Sequence, residues 1–279
     1  MPKYLRYLAG FHDVEIEQAL GRAGVVHLLP MYEYYCLPLP VEGCAKLIIS
    51  FRLQPTQTAP SLVLDIATIE RPFDLAQFTS LPAADQPRYA LDALHSAFTT
   101  AGHHFHWPLA RAQEAYDRIV REKFQFHFVR AKPKASPDRK LRAQVEVDFA
   151  NTVRLTVVFL KPDGEVHLRQ PLSLLSPGMG VVNYVLDKLA WISPTTLQIT
   201  HGNGRDYWLC GTDGFLRFIY PRAERGDPHG LYDLGRMYLA GQYVLRDPAQ
   251  GRKLIEEAAR KGWPPAREYL RRTAADESL

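Results

Sequence analysis

The sequence predicts an α+β fold: a mixed, mostly antiparallel sheet region with helices, followed by a C-terminal α-helical hairpin segment. Three observations carry this. β-Branched and alternating runs recur as far as Tyr220, and several are joined by turn-forming residues. Amphipathic stretches with helical spacing lie between them. From about Arg222 the pattern turns purely helical and repeats. Ala223-Glu224-Arg225-Gly226 returns as Ala259-Arg260-Lys261-Gly262, and Pro228, Gly230 and Leu234 answer to Pro264, Ala266 and Leu270. A repeat of this length marks a stacked helix pair, which cannot bury its apolar face alone. The expected domains are therefore 1–221 (two similar α+β halves, 1–131 and 141–221), 222–272, and a polar tail 273–279.

The elements follow in order. Asp13 caps a short helix to Leu20, with Gly21 and Gly24 as stop signals. Lys46–Leu53 and Leu62–Ile69 read as a strand pair across the turn-rich 55–60. Gln86–Thr99 and Pro108–Arg121 each carry an apolar helical stripe. Phe124–Val129 alternates at period two, and Ala131–Lys140, rich in Pro and Lys, reads as a linker or exposed loop. Strands are expected at Arg142–Phe149, Val153–Leu160 and Glu165–Leu172, the last two flanking the hairpin turn Pro162-Asp163-Gly164. Val181–Trp191 reads as a helix, and Thr196–Thr200, Tyr207–Cys210 and Phe215–Tyr220 as strands.

Composition narrows the class. Apolar residues make up 46% and charged residues 23%, so a substantial core is expected and long disorder is not. A net charge of +4 over 279 residues does not argue for nucleic acid. Cys36, Cys44 and Cys210 are too few and too scattered for a disulfide framework or a zinc ribbon. No window approaches a membrane helix, and a reducing cytoplasm is the simplest expectation.

The helical segment has a physical role at each spaced position. Leu234 and Tyr238 share a face, and Gly235 lets a partner helix approach. Gly241 ends the first helix, Asp247-Pro248 starts the second, and Gly262 ends it. Leu254, Ala258 and Ala259 face back into the pair. With these positions the segment 223–270 resembles a Sel1-like repeat, a relative of the tetratricopeptide repeat. Gly230, Tyr243 and Gly251 depart from that pattern, at positions usually Ala, Gly and Ala. One repeat with an added helix is short for a solenoid, so the helices must dock on the α+β part or on a partner. The resemblance implies a non-catalytic adaptor, and such repeats also occur in bacterial immunity proteins. The expected partner is another protein, such as a cognate toxin or a secretion-system component, occluded by docking. Tyr232, Arg236, Tyr243, Trp263 and Arg267 are the expected contact residues, because aromatic and Arg side chains carry much of the energy of interfaces.

Signals for chemistry are weaker. His103-His104-Phe105-His106-Trp107 offers two His at i, i+2 for a metal, with Glu114 or Asp117 as a third ligand; a polar loop between helices is the simpler reading. An enzyme reading, the alternative to the adaptor, requires His103, His106 and Glu114 to converge in a deep pocket. Gly202-Asn203-Gly204 and Gly211-Thr212-Asp213-Gly214 read as turns rather than phosphate loops. Ser176-Pro177-Gly178-Met179-Gly180 precedes a helix whose start would suit an anion. Arg130, Lys132, Lys134, Arg139, Lys140 and Arg142 form a basic run without interleaved aromatics, so solvated charge is the simpler reading. No metal, cofactor, catalytic residue or membrane contact is expected.

Overall fold

The computed structural model describes residues 3–57, 59–150, 152–175 and 178–276, with side chains at all of these except 131 and 274–276. The fold is α+β, and by contacts the chain divides into two units. One comprises Met1–Phe126 with Phe149–Asn151 and Pro177–Met179; the other comprises His127–Asp148, Thr152–Ser176 and Gly180–Leu279.

The first unit begins with β1 (Tyr4–Leu5) and β2 (Tyr7–Gly10). Helices α1 (Val14–Arg22) and α2 (Leu28–Cys36) follow, then β3 (Leu39–Pro40), β4 (Lys46–Arg52), β5 (Ser61–Val63) and β6 (Ile66–Pro72). The order across its main sheet is β2-β4-β6-β5, with β2, β4 and β6 parallel and only β5 antiparallel. The strand pair expected around 55–60 therefore runs parallel, since the chain reverses twice, through β5, before entering β6. β1 and β3 form a separate antiparallel pair.

Parallel strands need crossovers, and the one from β2 to β4 is helical, through α1 and α2. Helix α2, absent from the sequence reading, holds the aromatic run Tyr32-Glu33-Tyr34-Tyr35. Tyr32 is fully buried there; its hydroxyl shares a hydrogen bond with His95 Nδ1 (2.8 Å), and its ring packs on Phe98. Helices α3 (Leu75–Ser80), α4 (Gln86–His104) and α5 (Ala110–Arg121) complete the unit. Leu91, Ala97 and Phe98 of α4 and Ala112 and Ile119 of α5 have no exposed surface, which confirms both helical stripes. At the carboxyl ends of the strands, Arg52 joins Asp13 (2.9 Å) and Glu70 (3.4 Å). The side-chain cap expected from Asp13 is not made: its second oxygen accepts from the Leu53 amide (2.8 Å) instead of from α1, because the carboxylate is turned to the end of β4.

The second unit is built from two meanders. β7 (Phe126–Ala135), β8 (Arg142–Phe149), β9 (Val153–Leu160) and β10 (Val166–Leu175) lie in the order β10-β9-β8-β7. The expected linker 131–140 is thus half strand: β7 runs to Ala135 and only the tip remains a turn, closed by the Ser136 amide donating to the Leu141 carbonyl (2.8 Å). Helix α6 (Met179–Val185) then ends early, and β11 (Lys188–Ser193) occupies the second half of the helix expected over Val181–Trp191. Leu189 and Ala190 fit helical spacing after Val182, Val185 and Leu186 by coincidence. In the structure β11 pairs with β12 (Thr196–Thr200), which pairs with β13 (Tyr207–Gly211), which pairs with β14 (Leu216–Ile219), all antiparallel. Both glycine-rich stretches are turns between these strands.

Four helices end the chain: α7 (Pro221–Glu224), α8 (Pro228–Ala240), α9 (Pro248–Arg260) and α10 (Pro264–Asp276). The last runs four residues into the segment expected as a tail. Asp227 and Asp247 cap α8 and α9, accepting from the amides of Gly230 and Gln250 (3.0 Å each), with Pro at the first helical position of each. The two helices cross at glycine on both sides. A Cβ on Gly235 would lie 2.8 Å from the Gly251 carbonyl oxygen, and one on Gly251 would lie 2.7 Å from that of Gly235. This helical segment docks on the sheets of its own unit. Gln242 bridges to Leu174 of β10, and Trp208 Nε1 of β13 donates to the Tyr243 carbonyl (3.1 Å).

Candidate partner-binding surface

The five expected contact residues divide into a surface pair and three with internal roles. Tyr232 and Arg236 stand one helical turn apart on α8, half-buried and exposed respectively. The Arg236 guanidinium donates to the Tyr232 hydroxyl (3.3 Å) and lies 5.9 Å from its ring centroid. This is the i, i+4 geometry that brings helical side chains together. A parallel ladder was missed in the sequence although its spacing is the same. His229 lies 3.3 Å from Asp233, and Asp233 also accepts from the Tyr220 hydroxyl (3.4 Å).

Trp263, Tyr243 and Arg267 are engaged within the chain. The Trp263 ring stacks on His229 at 4.9 Å, and its buried Nε1 has no hydrogen-bond partner. Arg267 donates to the Ala259 carbonyl (3.1 Å), capping the C-terminus of α9. Tyr243 adopts φ +61°, the left-handed conformation that favours glycine. It is held there by the bond from Trp208 and by its ring beside His201. The departure from glycine noted in the sequence thus leaves the turn geometry intact and recruits the side chain to the core.

His201 is the buried titratable group that the sequence reading did not single out. It is 2% exposed, ringed by Tyr184, Trp208, Phe218 and Tyr243, and its Nε2 has no partner. Burial lowers its pKa to about 4. A neutral imidazole in an aromatic cluster is a core residue, and Asp206, the charged group nearby, offsets its burial only in part.

The histidine-rich loop does not assemble a metal site. His103 and His104 close α4, and His106 turns through φ +57°. Among the described residues no group of three or more His, Cys, Asp or Glu is placed to hold a metal ion. The concavity beside this loop, about 600 Å³, is walled by Tyr4, Pro40, Phe105 and Trp107; it takes in His106 but neither His103 nor Glu114. Glu114 and Asp117 lie on α5, where Asp117 accepts from Gln113 (3.0 Å). The three cysteines are free and buried. Burial pushes the Cys36 and Cys210 thiols up to about 12, which suppresses the nucleophilic thiolate. Part of the anion motif at 176–180 lies outside the described residues, and its helix, α6, spans only seven.

Among the described residues no helix is long and apolar enough to cross a membrane. Comparison with protein-family models, with curated proteins and with solved structures finds no match.

Proposed function

We propose that this chain is a non-catalytic protein that binds another protein through the outer face of α8. Within that class we favour a bacterial immunity protein or adaptor, with Sel1-like helices, that covers a toxin or a secretion-system component. The carrying observation is the Tyr232–Arg236 pair. It sits on a helix fixed against α9 by the Gly235–Gly251 crossing, so both side chains are presented with little freedom left to lose. Tyr and Arg are the residue types that most often dominate binding energy. Occlusion needs no reacting group, only a rigid surface that excludes substrate from the partner's site.

The test is affinity capture from lysate of the source cells, read by mass spectrometry, with the full chain and with Tyr232→Ala/Arg236→Ala. The expected result is one stoichiometric partner, retained at least about tenfold less by the double variant. Equal retention would remove α8 as the contact. A co-purifying small molecule in place of a protein would return the choice to an enzyme.

A further inference from the structure

The basic run 130–142 does not act as one track. At its tip Asp138 accepts from Ser136 Oγ (2.7 Å) and the Lys140 amide (3.2 Å), and it lies 3.9 Å from the Lys140 ammonium. The Arg142 guanidinium is turned to the Pro162 carbonyl (2.9 Å). Lys132 and Arg139 are exposed and do not line the concavity formed by the remaining two. Arg130 and Lys134, on β7, line a concavity of about 320 Å³ with Leu186, Asp187, Lys188 and Leu189 at the start of β11. Among the described residues none of its three cations has a carboxylate within ion-pair distance, Asp187 included. Lys134 is pre-positioned: its ammonium donates to the Leu189 carbonyl (2.7 Å), and its own carbonyl accepts from Trp191 Nε1 (2.9 Å). One ammonium hydrogen is thus spent on holding the side chain, and two are left to donate. The buried Leu186 and Leu189 supply an apolar wall.

We propose that this concavity binds the phosphate group of a small phosphorylated molecule. Three cations around one small concavity, Lys134 among them already held in place, match a compact dianion, and Arg130 has the planar donor set for two oxygens at once. The volume is at the lower end of small-molecule sites, enough for a phosphate monoester with a short remainder. Asp187 at the rim would accept from a hydroxyl of that remainder. Nucleic acid fits less well, because no aromatic ring lines the concavity. This inference is independent of the role assigned to α8.

The experiment is a titration of the full chain with inorganic phosphate and with glycerol phosphate, followed by amide chemical shifts, against sodium chloride at matched ionic strength. The expected result is saturable shifts at Lys134 and Lys188 with both phosphates. Arg130→Gln/Lys188→Gln should weaken them at least tenfold while the melting temperature stays unchanged. Shifts reproduced by chloride, or unaltered in the double variant, would overturn the proposal. So would saturable binding of a polyglutamate peptide without binding of either phosphate, which would identify an acidic protein segment as the occupant.

Discussion

The two units solve chain closure in opposite ways. In the first, Tyr7 pairs with Lys46 across the whole of α1 and α2, and β4 meets β6 only after the chain has passed through β5. In the second, Thr200 pairs with Tyr207 across a single turn, and each later strand follows the same rule. Long closures must lose loop entropy before any pairing rewards them, while hairpins recover it at once. The first unit therefore depends on its helices being packed, the α1–α2 crossover above all; the second depends on local turns and on one close helix contact.

Substitutions can break that comparison, and the largest effect belongs to the first unit. Phe98 of α4 is fully buried against Tyr32 and Trp107, rings that hold α2 and the loop before α5. Phe98→Ala should cost about 4 kcal/mol, from lost transfer energy plus a cavity. Urea denaturation measures the loss. Amide exchange should locate it in α2, α4 and the parallel strands together, because none of them closes without the others. Loss of protection confined to α4 would show that α2 and the parallel sheet stand without α4 packed on them.

A smaller effect is expected at the helix crossing of the second unit. A side chain at Gly251 meets the Gly235 carbonyl and Leu239, so α8 and α9 must separate. Gly251→Val should cost about 3 kcal/mol by overpacking. Exchange should rise in α8 and α9 and leave β8 and β9 protected, since those strands are held by their own hairpin. Equal loss in β8 would mean that the helices and the meander unfold as one block, sharpening the contrast with the first unit in the other direction.

The same contrast explains what was readable from the sequence. The bounds of β8, β9 and β12 coincide with their alternating runs, because a half-buried antiparallel strand writes its burial into adjacent residues. The caps Asp247 and Gly241 were readable for the same reason: each acts on a backbone group within a few positions. Helix α2 was not readable. Leu28, Met31 and Tyr32 are buried while Pro30 interrupts the pattern, and the segment is apolar nearly all round, so no clear stripe marks it as a helix. The parallel direction of β4 and β6 has no local signature at all. Of the candidate surface, Tyr232 and Arg236 were legible from i, i+4 spacing, whereas the internal duties of Tyr243 and Trp263 depend on His201, Trp208 and His229 being brought in from elsewhere.

His201 supplies a pH test that separates the units, and its effect is confined to acid. Its folded pKa of about 4 lies below the ordinary value of 6.5, because burial among Tyr184, Trp208, Phe218 and Tyr243 disfavours the charged ring; Asp206, the charged group nearby, opposes this only in part. Above pH 6.5 neither folded nor unfolded chain carries the proton, and stability is unaffected. As the pH falls below 6.5 the unfolded chain takes up a proton that the folded chain refuses, so stability drops until about pH 4 and then levels. At pH 5 the loss is about 2 kcal/mol. His201→Phe keeps an aromatic ring in the cluster and removes both the titration and the unpartnered Nε2. It should match the parent chain at pH 7.5 and exceed it at pH 5, with the gain seen as retained exchange protection in β12, β13 and the α8–α9 turn. The first unit should keep its own acid sensitivity in this variant, since burial also lowers the pKa of His12, His27 and His95 there. An acid limb unchanged in both units would show that His201 takes up its proton without leaving the fold, and that the aromatic cluster opens more readily than its burial implies.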